Sequence, residues 1–186
     1  MDEISSIVEF LLAKKITRIG ILQQNDQFGE DAFESLTEVL GAANIQVAKA
    51  GVFDAFGEDM PRAFSTLFSA APEAVVLAGV SSPVLEFVKM AIASKWSPML
   101  FFLSFDIDGL LRGLNSTNLT YPGQLFLTSV VPAPTEENST LAERFRVTMS
   151  NLTFAIKPKE YQKPTFFGME GFVTARFIIS VFNEMG

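Results

Sequence analysis

The chain of 186 residues has no cysteine and no histidine. Those two absences remove thiol nucleophiles, disulfides, imidazole bases and Cys/His zinc sites together. Asp, Glu, Lys, Ser and Tyr stay available, so catalysis is narrowed rather than removed. Positive charge is also scarce, with 14 Lys and Arg against 21 Asp and Glu and a net charge of −7. No stretch gathers Lys and Arg with interleaved aromatics, the pattern a phosphate backbone needs, so no nucleic-acid partner is expected. The acidity reads as solubility. Uncharged apolar runs of about 18 residues are missing as well, so no membrane contact by this segment is expected. The start, Met1-Asp2-Glu3, lacks the basic and apolar regions of a signal peptide, and the leader of a secreted protein would lie outside this chain. Nucleotide and hydrolase signatures are absent too: no Gly-x-Gly-x-x-Gly, no Gly-Lys-Ser/Thr phosphate loop and no Gly-x-Ser-x-Gly. No cofactor, metal or catalytic residue is therefore expected.

What is present is apolar. Hydrophobic residues make up 48% of the chain against 19% charged, and the 19 Phe point to thick apolar layers. Ile4, Ile7, Val8, Leu11 and Leu12 repeat at threes and fours, which predicts an amphipathic helix over 2–15. Strands are predicted near 18–22, 45–53, 74–79, 99–103 and 125–131. Helices are predicted over 30–43, from about Asp59 with Pro61 in the first turn, and over 83–94. Residues 112–124 read as a polar loop, 138–150 as helix, 151–164 as irregular and 167–184 as an apolar helix. Strands and helices alternate, and Ala74-Val-Val-Leu-Ala-Gly79 is apolar without alternation. The expected fold class is α/β, a three-layer sandwich with a mainly parallel, doubly wound sheet. Ligands of such sheets sit beyond the carboxyl ends of the strands, here 23–29, 79–82 and 104–108.

Several segments then carry a resemblance. Gln23-Gln-Asn-Asp-Gln-Phe-Gly29 follows a strand and opens a helix. Pro72-Glu-Ala-Val-Val-Leu-Ala-Gly79, Ser104-Phe105, Leu127-Thr-Ser-Val-Val-Pro-Ala-Pro134 and Pro164-Thr-Phe-Phe-Gly-Met-Glu-Gly-Phe172 come after it in order. In order and spacing they resemble the second lobe of type I periplasmic binding proteins, especially the branched-chain amino-acid-binding group. The same fold serves as the ligand-binding region of several eukaryotic surface receptors. The resemblance implies that residues 1–131 are the second lobe. Residues 132–186 would be the hinge crossing and a return to a first lobe, whose main sheet lies before residue 1. The chain is then incomplete relative to the two-lobed family, its partners being a small-molecule ligand and that missing N-terminal lobe. Self-pairing into a dimer is compatible with this.

By the same resemblance Phe28 presents an aromatic ring to ligand; the alternative is a ring packed on its own loop. Val80, Ser81 and Ser82 offer N–H and hydroxyl groups to a polar ligand, or else Ser81 or Ser82 caps the helix before Pro83. Ser104 stands where amino-acid binders of the group often carry a Glu for the ligand ammonium, and a hydroxyl does not supply that charge. Phe105 lies beside it. Asp106 and Asp108 are the substitutes for that charge, or a solvated Asx turn. Gly29 lets the chain turn closely into its helix. Asp26, Glu30 and Asp31 lack the ligand spacing of a calcium loop, and acids in a helix's first turn account for the last two.

Four N-glycosylation acceptors begin at Asn115, Asn118, Asn138 and Asn151. With seven Asn in the chain, about one such match is expected by chance. Their clustering suits an exposed face of a eukaryotic, protist-type cell-surface protein; the alternative location is the bacterial periplasm. The expected function is extracellular binding of an amino-acid-like or other small polar metabolite by a receptor or solute-binding domain. Alternatives are part of a protist receptor-type cyclase ectodomain, a bacterial ABC-transport component, an interaction module without ligand, and an enzyme.

Overall fold

The structure is a computed structural model that describes residues 3–151 and 163–185. The chain divides into two compact units, Met1–Thr128 and Ser129–Gly186.

In the first unit α1 (Glu3–Ala13) precedes β1 (Ile19–Gln24), α2 (Gln27–Ala42), β2 (Lys49–Phe53), α3 (Met60–Ala70) and β3 (Ala74–Ala78). Then come α4 (Ser81–Ala93), β4 (Met99–Phe102), a 3-10 turn at Ser104–Asp106, α5 (Ile107–Thr117) and β5 (Leu125–Leu127). All four strand pairings are parallel, and the order is β2-β1-β3-β4-β5. β1 and β3 lie inside the sheet and every residue of both is buried, the reason their sequences do not alternate. One face packs on α1 and α2 through Ile7, Leu11, Ile21, Leu36, Val76 and Phe101. The other packs on α3, α4 and α5 through Leu22, Leu67, Leu77, Phe87, Leu100 and Leu110. The α/β fold class read from the sequence is the observed one.

Boundaries differ in instructive ways. The stretch read as loop over 112–124 is half helix. Leu110, Leu111 and Leu114 recur at helical spacing, Leu110 and Leu114 pack beside α4, and Asp106 caps the start of α5. The polar last turn survives because the Ser116 and Thr117 hydroxyls donate back to the Gly113 carbonyl. Asn118 ends it in the left-handed region at φ 49°. β2 begins only at Lys49; Ile45 and Val47 reach the core without strand pairing, apart from the Ala48 N–H bonding Ile19 O. β5 stops at Leu127 rather than at residue 131. At the amino ends of the strands burial pushes the Tyr121 phenol up, and it donates 2.6 Å to Pro98 O.

The second unit holds α6 (Thr140–Asn151) and α7 (Phe166–Met185), close to the predicted spans. The predicted irregular stretch falls mostly on 152–162, outside the described residues. Its core is small, with Ala142 and Phe145 of α6 against Met169 of α7. Farther along α7, Phe177, Ile178, Ile179 and Phe182 are exposed. Among the described residues no helix is long and apolar enough to cross a membrane.

Candidate functional site

The order β2-β1-β3-β4-β5 has one switch point. The chain leaves β1 into α2 on one face of the sheet and leaves β3 into α4 on the other. The two connections diverge there, the arrangement that in open parallel sheets leaves a crevice outside the carboxyl ends of the two strands, here β1 and β3. Three helix starts, those of α2, α4 and α5, face this end of the sheet and bring positive partial charge.

Gln24, the last residue of β1, spans the gap. Its Oε1 accepts from the Val80 N–H at 3.2 Å, and its Nε2 donates to Asp26 at 2.5 Å. Asp26 in turn accepts from Gly29 N–H at 3.0 Å, which caps α2 and starts it three residues earlier than the apolar pattern predicts. Gln23, one residue back, points to the α1–α2 face; its Oε1 is buried and has no hydrogen-bond partner among the described residues. A buried acceptor left unpaired is costly, and such features concentrate at working ends of folds.

The predicted site residues fall as follows. Phe28 is half-buried and its ring lies 4.8 Å from that of Phe105, tilted by 32°, while Phe105 is 60% exposed. The two form one aromatic pair at the ends of β1 and β4. Val80, not Ser81 or Ser82, is the N-cap of α4, and no side chain of its own caps it. The cap comes from elsewhere: Asp106 Oδ2 accepts from the Ser81 N–H at 3.1 Å. Asp106 Oδ1 also accepts from Gly109 N–H at 3.1 Å and so caps α5. Asp106 is therefore neither a solvated turn nor an unengaged charge; it ties two helix starts together. Ser104 is engaged as well. Its N–H and hydroxyl donate to the two oxygens of Glu3, at 2.9 and 3.0 Å. The Thr128 hydroxyl stands 2.5 Å from Glu3 Oε1 and 2.9 Å from Phe102 O. A carboxylate thus does reach Ser104, but from α1 and for a structural clasp. Ser82 is exposed at the rim.

A family profile described as periplasmic binding protein matches residues 2–186. The chain belongs to that family. Solved structures agree on the fold. A substrate-binding periplasmic protein from Ralstonia solanacearum is 23% identical with a TM-score of 0.78, the match covering 99% of this chain and 50% of that one. A possible leucine/isoleucine/valine-binding protein from Rhodopirellula baltica is 22% identical with a TM-score of 0.80, over 96% and 47% of the two chains. A branched chain amino acid ABC transporter from Thermus thermophilus with bound valine is 13% identical with a TM-score of 0.70, over 90% and 43%. The chain spans about half the length of the solved structures it matches. A search of curated proteins finds no match.

Within this periplasmic binding protein fold, sequence reasoning missed Gln24 and Glu3. Gln24 was readable in part, because two consecutive Gln closing an apolar strand are polar groups that need partners. Glu3 was not, since Ser104 lies 101 positions away.

Proposed function

We propose that this chain is a ligand-binding lobe that takes a small polar metabolite, amino-acid-like in size, in the crevice beyond β1 and β3. One observation carries the reading: the single switch point of the sheet brings the Gln24–Val80 bridge, the start of α4 and the Phe28–Phe105 pair to the same end. The arrangement offers the hydroxyl groups of Ser81 and Ser82 beside apolar rings, a composition suited to binding. Family membership supports it, as does the valine held by the Thermus thermophilus neighbour. With Asp106 and Glu3 already engaged inside the lobe, recognition of a ligand ammonium is assigned to the opposite wall, in the N-terminal lobe.

The test is an amide NMR titration with amino acids and common metabolites, on this chain and on one extended upstream. Signals of 24–29, 79–82 and 104–106 should move, and binding should tighten when the upstream lobe is present. Shifts confined to the amino ends of the strands, around Tyr121, would reject the site.

The setting we propose is outside the cytoplasm, at a eukaryotic cell surface. Asn115, Asn118, Asn138 and Asn151 are all exposed. α5 starts at the carboxyl end of β4 and the chain then enters parallel β5, so Asn115 and Asn118 lie toward the amino ends of the strands. Glycans there would leave the crevice open. Secreted from a eukaryotic cell, the chain should lose mass on glycosidase treatment, and Asn118→Gln should reduce that loss. An unchanged mass would favour the bacterial periplasm instead.

The exposed Phe177, Ile178, Ile179 and Phe182 of α7 support the reading of residues 132–186 as a segment that returns to a first lobe. Apolar surface of this kind is unusual on a soluble monomer. The isolated chain should therefore run above its monomer mass in light scattering, and upstream sequence should return it to one copy. A stable monomer at high concentration would remove this reading while leaving the crevice untouched.

A further inference from the structure

We propose that Phe56 is a specificity residue of the crevice, an apolar lip that favours ligands carrying an aliphatic tail; this rests on the binding function proposed above. Phe56 is 88% exposed, the most exposed of the large hydrophobic side chains among the described residues. It does not hang from a loose loop. Asp54 Oδ1 accepts from the Phe56 N–H at 2.8 Å and from the Glu58 N–H at 3.1 Å. Asp54 O accepts from Gly57 N–H at 3.0 Å, and Gly57 O from Met60 N–H at 3.1 Å. Gly57 itself has φ 80°, a conformation that glycine adopts without strain. Four hydrogen bonds thus fix a turn whose tip holds a phenyl ring in water, a preorganised apolar surface.

The position of that turn gives it a role. Gly57 backs onto Pro83: a Cβ built on it would stand 3.3 Å from Pro83 Cβ. Pro83 lies in the first turn of α4, directly after Ser81 and Ser82. The turn therefore carries Phe56 to the β2 side of the crevice, and the Phe28–Phe105 pair borders it from β1 and β4. A polar head seated at the α4 start places a short tail inside the crevice and a longer one against Phe56. Each added methylene that is covered should tighten binding about three- to fourfold.

The experiment titrates the 186-residue chain with two series: alanine, 2-aminobutyrate, norvaline and norleucine, and the carboxylates from acetate to hexanoate. Affinity should rise along a series. Phe56→Ala should weaken the longest member about tenfold and the shortest less than about twofold, and Phe56→Leu should keep most of the gradient. Amide signals of residues 57–60 serve as the check that the turn is intact. A gradient that survives in Phe56→Ala, or equal weakening of every member, overturns the lip; equal weakening would mean that Phe56 supports the site as a whole and not the tail. Flat chain-length dependence in the unmodified chain overturns the lip and leaves the crevice standing. Absence of binding by every probe removes the crevice function and the lip with it.

Discussion

Gly29→Ala should destabilise the first unit by about 3 kcal/mol or more, against a total of about 5–15 kcal/mol for a domain of ordinary stability. A methyl on Gly29 would press into the backbone carbonyl of Gln24, well inside contact distance. That carbonyl belongs to a buried central strand and has no room to retreat. The accommodation therefore falls on the loop, which loses the Asp26 cap of α2 at Gly29 N–H and strains the Gln24 bridge to Val80. Gly41 supplies the control. It sits in the same helix with nothing within 4 Å of a built Cβ, so Gly41→Ala should be neutral or stabilise by up to about 1 kcal/mol. Urea midpoints of the two variants decide the matter: similar shifts in both would show that close approach at residue 29 is not what the fold needs.

That result concerns a residue whose role was legible in the sequence. A Gly between a strand-end loop and a helix that follows at once has few structural reasons to be there, and close approach is the main one. β1 and β3 were legible for a similar reason, because an apolar run without alternation has to be covered on both faces. The ends of the edge strands were not. Ile45 and Val47 have the composition of a strand, but they use it to fill the α2 side of the core, and pairing starts only at Lys49. α5 was hidden by its composition. Gly109, Gly113, Asn115, Ser116 and Thr117 lower its propensity, and its stability comes from packing on α4 and from a cap outside it.

The candidate site shows the same division. The loops were legible from topology, because carboxyl ends of parallel strands gather ligand contacts whatever the residues are. The division of labour among side chains was not. Ser104 and Asp106 read as ligand groups while their partners were unknown. Gly109 of α5 lies only three residues from Asp106, but the partners from α1 and from the start of α4 fall outside any local window. Phe28 and Phe105 are 77 positions apart by their numbers, and only the fold places their rings 4.8 Å from each other.

Asp106→Ala should cost the first unit about 2–3 kcal/mol, the second-largest effect expected. One carboxylate caps two helices, and the loss of a single good cap costs about 1 kcal/mol in most settings. Both bonds here are charge-assisted N–H to carboxylate contacts of 3.1 Å, which adds to that figure. The two losses are also coupled. Ser81 and Gly109 lie in different helices that pack on each other, so one freed N–H loosens the contact that holds the other. Asp106→Asn separates this role from ligand binding. An Asn side chain accepts at one oxygen only, so it should keep one cap and recover roughly half of the stability lost in Asp106→Ala. If the carboxylate instead met a ligand ammonium, Asp106→Asn would leave the urea midpoint almost unchanged and abolish binding of amino acids. The expected outcome is the reverse: a clear fall in midpoint, and binding that survives in the fraction of molecules that stay folded.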